Sequence, residues 1–94
     1  LKQNFSKNIN FIDVRSELEF NNGHIENATN IPLNILQKNL DILNKTKPYY
    51  VYCAGGYRSM IASSILKKYG YESIININGG MSELKKVNFK LLKK

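Results

Sequence analysis

The chain has 94 residues, enough for one small domain with a single core and too few for a second. Its 14 Lys+Arg against 7 Asp+Glu give a net charge of +7, yet the lysines gather at Lys67-Lys68, Lys85-Lys86, Lys90 and Lys93-Lys94, in expected helix ends and the tail. They lack the aromatic interleaving that single-stranded nucleic acid requires, so no nucleic-acid partner is expected. No apolar stretch approaches the roughly 20 residues that span a bilayer, so no membrane partner is expected. A lone cysteine with no disulfide partner suits a reducing, cytoplasmic setting.

Asn10-Phe11-Ile12-Asp13-Val14 is short, apolar and rich in strand formers, and predicts a buried strand. A short helix from Ser16 to Asn21 follows, with Ser16 as N-cap and Glu19 three residues on completing a capping box; Asn22-Gly23 stops it. Asn30-Ile31 is a brief extended piece before Pro32, which opens a helix to about Asn44 with Leu33, Leu36, Leu40 and Leu43 as its apolar stripe. After the Lys45 to Pro48 loop comes a strand from Tyr49 to Cys53. A helix from about Arg58 to Tyr69 then buries Ala62, Ile65, Leu66 and Tyr69, with Gly70 placed to end it. Ser73 to Ile77 is a further strand, and Gly79-Gly80 turns into a last helical segment around Ser82 to Lys86. Strands separated by helices predict an α/β fold, a central parallel sheet with helices on both faces. Ligands of such sheets bind beyond the carboxyl ends of the strands.

Cys53 stands at such an end, followed by Ala54-Gly55-Gly56-Tyr57-Arg58-Ser59 and a helix start. A glycine turn lets successive N–H groups converge, and a helix N-terminus favours an anion, so this is a place for a thiolate. The plain alternative is a small buried residue above a tight turn. The convergence of glycines, helix start and Arg58 favours a reactive thiol. Loop N–H groups from Ala54 to Ser59 are expected to hold the sulfur anion, with Gly55 and Gly56 permitting positive φ. The planar fork of Arg58 is expected to steer an incoming anion by pairing with two of its oxygens at once. Tyr57 either flanks the pocket entrance or is simply the first large residue of the helix. Asp13 and Arg15 follow a strand at its carboxyl end; they either line the site or support it, and the favoured reading is support, with Arg15 pairing Glu17 or Glu19. His24, the single histidine, is expected in a fixed hydrogen bond of a turn, not as a base. No second histidine or cysteine completes a zinc site, so neither metal nor cofactor is expected.

Together these residues resemble a rhodanese-like domain of the single-domain sulfurtransferase type. The likeness rests on Ile12-Asp13-Val14-Arg15 with Glu19-Phe20, Gly23-His24-Ile25, Ala28-Thr29-Asn30-Ile31-Pro32, Tyr52-Cys53 with Gly56 and Arg58-Ser59, Gly70-Tyr71 and Asn78-Gly79-Gly80, in family order over nearly the whole chain. It implies a nucleophilic cysteine in a loop of six residues, Cys53 to Arg58, carrying a persulfide between a sulfur donor and an acceptor. The family often has tryptophan four residues after the glycine pair, where Leu84 stands here, and the stretch before Asn10 is shorter than the usual opening. Some members are fused to other enzymes, notably metallo-β-lactamase-like ones.

The first expectation is therefore a sulfurtransferase taking sulfane sulfur from thiosulfate, a persulfide or a partner protein and passing it to cyanide, a thiol or a carrier. A docking or regulatory module of a fused enzyme ranks second. A cysteine-based phosphatase ranks third, because its loop runs seven residues from cysteine to arginine and usually has histidine where Tyr52 stands.

Overall fold

A computed structural model describes residues 10–77, 79–80 and 91–92. Four parallel strands form the sheet: β1 (Asn10–Asp13), β3 (Ala28–Asn30), β4 (Tyr49–Tyr52) and β5 (Ile74–Asn76), in the order β3-β1-β4-β5. Between them lie α1 (Glu17–Asn21), a 3₁₀ segment (Leu33–Ile42) and α2 (Tyr57–Lys68). β2 (His24–Ile25) pairs antiparallel with β6 (Leu91–Leu92) as a separate ribbon. The α/β architecture with a central parallel sheet is thus the one the alternating pattern predicts. The expected helix at Ser82 to Lys86 and the Leu84 position lie outside the described residues.

The sheet buries both faces, which explains why β1 and β4 read as continuous apolar runs. One face carries Ile12, Val14, Tyr49, Val51, Cys53 and Ile74 against Leu36, Ala62 and Leu66 of the helical elements. The other carries Phe11, Tyr50 and Tyr52 with Ile25 and Ile77. Phe11 meets Tyr50 and Tyr52 edge to face, with ring centroids 5.8 and 6.3 Å apart. Successive strand residues alternate between the faces, so Cys53, one step past Tyr52, is directed toward α2.

Two helical expectations are corrected. The segment after Pro32 is 3₁₀ rather than α, with a break at Asn39 (φ −121°, ψ 21°). Asn39 Nδ2 donates to the Ile35 carbonyl at 2.8 Å, engaging the acceptor that an α-helix reserves for the backbone of residue 39. The apolar stripe survives the change: Leu36 and Leu43 are buried, and Leu33 and Leu40 pack against the same core. In α2, Tyr69 is the C-cap and 40% exposed, so it leaves the buried face, which consists of Ser59, Ala62, Ser63 and Leu66 with Ile65 partly covered. The helix ends where Gly70, at φ 94°, donates to the Lys67 carbonyl (3.2 Å) and Tyr71 N–H reaches the Leu66 carbonyl (3.0 Å). That Schellman arrangement carries the buried Tyr71 back onto Leu66.

Candidate functional site

The pairing of Asp13 with Tyr52 across β1 and β4 brings the two strand exits side by side. The chain leaves β4 at Cys53, loops through residues 54–56, and enters α2 at Tyr57. Gly56 is the N-cap at φ 103°, ψ −12°, a left-handed conformation that disfavours any side chain. This turn points the Gly56 N–H at Cys53 Sγ (3.1 Å), and the Ser59 N–H in the first turn of α2 reaches the same sulfur at 3.3 Å. The thiol donates to Ser59 Oγ at 3.5 Å, and Ser59 Oγ donates to the Gly56 carbonyl at 3.1 Å. Of the two glycines expected to use positive φ, only Gly56 does. Gly55 has no such φ, and a Cβ there would meet open space.

The cradle has an electrostatic consequence. Burial alone would raise the Cys53 thiol, but hydrogen bonds from Ser59, from the Gly56 N–H and from the Arg58 backbone outweigh it and bring the thiol below its ordinary value. A buried sulfur surrounded by N–H donors is a site for negative charge. Tyr57 starts α2 with its ring exposed, and Ala54 is partly buried.

Beside this loop, Asp13 and Arg15 form a buried pair. Asp13 Oδ1 accepts from the Arg15 N–H (2.9 Å) and Nε (3.0 Å), and Oδ2 from Nη2 (2.7 Å). Arg15 Nη2 also donates to the Gly23 carbonyl at 2.6 Å, and the guanidinium lies 5.7 Å from the Tyr52 ring centroid. Burial lowers the Arg15 pKa, but the hydrogen bond and charge of Asp13 outweigh it, so the net shift is upward. Asn30 Nδ2 ties this turn down through the Asp13 and Arg15 carbonyls at 3.0 and 3.1 Å. Arg15 is thus paired with Asp13 instead of the expected Glu17 or Glu19. Tyr52 completes the packing: its hydroxyl accepts from the Ile25 N–H (3.1 Å), and burial pushes its pKa strongly upward.

Arg58 departs from expectation. Its Nη1 and Nη2 donate to Glu19 Oε1 and Oε2 at 2.7 and 3.0 Å, so the fork assigned to an anionic donor is occupied by a carboxylate. The capping box on Ser16 is present as predicted, and Glu19 serves it and Arg58 together. His24 Nδ1 donates to the Phe20 carbonyl (2.8 Å), and its ring stacks on Phe20 at 3.6 Å, the fixed role expected of it. Gly80 was read from the sequence only as a turn residue. At φ 53° it lies against the Cys53 carbonyl, and a Cβ there would collide with that carbonyl and crowd Ala54. Among the described residues, no group of three or more His, Cys, Asp and Glu side chains could hold a metal ion.

The chain belongs to the rhodanese-like domain family, whose signature it matches over residues 1–87. It is 42% identical over 72 residues to the Bacillus subtilis protein YqhL, covering 77% of this chain and 57% of that protein. Among solved structures, the rhodanese-related protein of Thermoplasma volcanium superposes with a TM-score of 0.86 at 32% identity, covering 94% of this chain and 87% of that one. An NAD-dependent persulfide reductase from A. fulgidus contains a similar domain, with a TM-score of 0.72 and 40% identity, covering 83% of this chain and 14% of the reductase. The chain thus spans little more than half of its curated relative and a small part of a larger enzyme. Family and relatives together associate it with sulfur chemistry.

Proposed function

We propose that this domain is a sulfurtransferase that moves sulfane sulfur through a persulfide on Cys53. The carrying observation is the convergence of the Gly56 and Ser59 N–H groups on a buried sulfur at 3.1 and 3.3 Å, with the thiol shifted toward its anion. In the first half-reaction the Cys53 thiolate attacks the outer sulfur of the donor. A sulfur–sulfur bond forms at Sγ, the donor's own bond to that sulfur breaks, and sulfite (from thiosulfate) or a thiolate (from a persulfide) leaves with the electron pair. In the second, an acceptor such as cyanide or a thiol attacks the outer sulfur, and the Cys53 thiolate departs with the bonding pair. Both steps leave negative charge at the loop, where preorganised N–H groups stabilise it without a metal or a separate base.

The small fraction of the persulfide reductase occupied by a similar domain supports a second role, in which the loaded Cys53 serves a fused or partner enzyme. The localisation in keeping with a free thiol is cytoplasmic. Intact mass after incubation with thiosulfate or with cysteine persulfide, for the wild type and Cys53→Ser, tests the proposal. The expected result is a thiol-reversible gain of one sulfur atom in the wild type alone. A wild type that gains no sulfur from either donor would leave docking as the domain's role.

A further inference from the structure

Each arginine of this chain is engaged by a carboxylate: Arg15 by Asp13 and Arg58 by Glu19. In the second pair Arg58, in the first turn of the helix that begins at the cysteine loop, donates Nη1 and Nη2 to the two carboxylate oxygens of Glu19 on α1 at 2.7 and 3.0 Å. Glu19 is itself anchored, since Oε1 also accepts from the Ser16 N–H (3.0 Å) and the Ser16 hydroxyl (3.1 Å). Freeing Arg58 would therefore leave the carboxylate in place beside it. The hydrogen bond from Arg58 holds the Glu19 pKa down to about 2, so its charge persists throughout the neutral range.

The space beside Arg58 carries little other charge. A cavity of about 280 Å³ is lined by Val14, Ser16, Pro32, Leu33, Asn34 and Arg58, three of them apolar, with Arg58 as its single charged residue. It adjoins a second of about 430 Å³ that shares Ser16, Pro32 and Asn34. Lys45 is 5.7 Å from the Tyr71 ring centroid, and Lys67 and Lys68 occupy the last turn of α2, at the opposite end of that helix from Arg58.

Building on the sulfurtransferase reading, we propose that Glu19 is a specificity-determining residue. By neutralising Arg58 it turns the site away from doubly charged oxyanion donors such as thiosulfate and toward persulfides of organic thiols. A dianion approaching a thiolate needs a free cation to offset the repulsion, and Glu19 engages Arg58, the cation that follows the cysteine loop. A persulfide group carries at most one negative charge, and none as R–S–SH, and its organic group finds apolar walls in Val14, Pro32 and Leu33. In the loading step, the Cys53 thiolate forms a bond to the terminal sulfur of R–S–SH. The donor's sulfur–sulfur bond breaks, RS⁻ leaves with the electron pair, and the proton remains on the transferred sulfur. Sulfane sulfur moves with no external oxidant or reductant.

The test compares loading rates from thiosulfate and from cysteine persulfide, read by intact mass, in the wild type and Glu19→Gln. Glutamine preserves side-chain length and the capping box. The wild type is expected to prefer cysteine persulfide by about tenfold, the lower end of steering effects. Glu19→Gln is expected to reduce that ratio several-fold through a lower KM for thiosulfate, with a thiosulfate rate that now falls steeply with salt. A wild type that uses thiosulfate equally well would overturn the proposal even if the variant did not fold, as would an unchanged ratio in a folded variant. Loading from neither donor would instead overturn the underlying sulfurtransferase reading.

Discussion

Two neighbouring strand ends solve opposite problems. At the exit of β1, Asp13 and Arg15 cancel each other's charge in a buried pair whose hydrogen-bonding groups are further tied to Gly23 and Asn30. At the exit of β4, Cys53 faces N–H donors, and Arg58, the arginine that follows it, is paired with Glu19. The first arrangement is saturated and rigid, and the second is short of one negative charge. That difference separates scaffold from chemistry, although both ends contain the ionisable residues that a search for active sites would select.

The comparison predicts where substitutions act. Arg15→Leu leaves Asp13 buried without its partner and is expected to destabilise the fold by about 3–5 kcal/mol, read by chemical denaturation. A loss under 1 kcal/mol would show that the β1 exit is not the scaffold described. Next in size is Gly80→Ala, which forces a methyl group onto the Cys53 carbonyl at a positive φ. The expected cost is about 1–3 kcal/mol, with slower sulfur loading because the strand end carrying Cys53 must shift.

Ser59→Ala acts on the thiol instead. It removes the hydroxyl at 3.5 Å from Sγ, which turns from the Gly56 carbonyl to donate to the sulfur once the thiol ionises, while keeping the Ser59 N–H. The midpoint of Cys53 alkylation is expected to rise, and the rate at pH 7 to fall several-fold. Stability should drop by about 1 kcal/mol. The sign follows from the lowered thiol: the reactive thiolate is present above the folded midpoint and lost as pH falls through it, so weakening the cradle moves that loss to higher pH. The smallest effect is expected for Gly55→Ala, where a Cβ meets open space. Stability within about 0.5 kcal/mol of the wild type would sharpen the distinction between the two loop glycines.

What was legible in the sequence was local. The strand ending in Cys53, the glycine turn, the start of α2 and the Ser16–Glu19 box all depend on residues within a few positions of each other. Long-range partnerships were not legible. Glu19 lies 39 residues from Arg58, and nothing in its spacing distinguishes a cap that serves only α1 from one that also clamps another helix. Gly80 resembles any turn glycine until the fold sets it against Cys53. The β2–β6 pairing of His24 with Leu92 likewise depends on tertiary assembly. The Arg15 partner is hidden for another reason: Asp13 is only two residues away, but helix spacing points to Glu17 and Glu19, whereas the chain turns at the strand end and folds the side chain back. The 3₁₀ segment is not legible because its leucine spacing fits an α-helix, while the Asn39 side chain competes for the backbone.

The most direct test of the central claim, that the loop holds negative charge on Cys53, is the alkylation rate of this single thiol as a function of pH. The account predicts a midpoint below the roughly 8.5 of a free cysteine, with a further rise in reactivity confined to pH values beneath it. A midpoint at or above that value would mean that burial dominates the N–H donors, and Cys53 would be a packed core residue with no cradle for a persulfide.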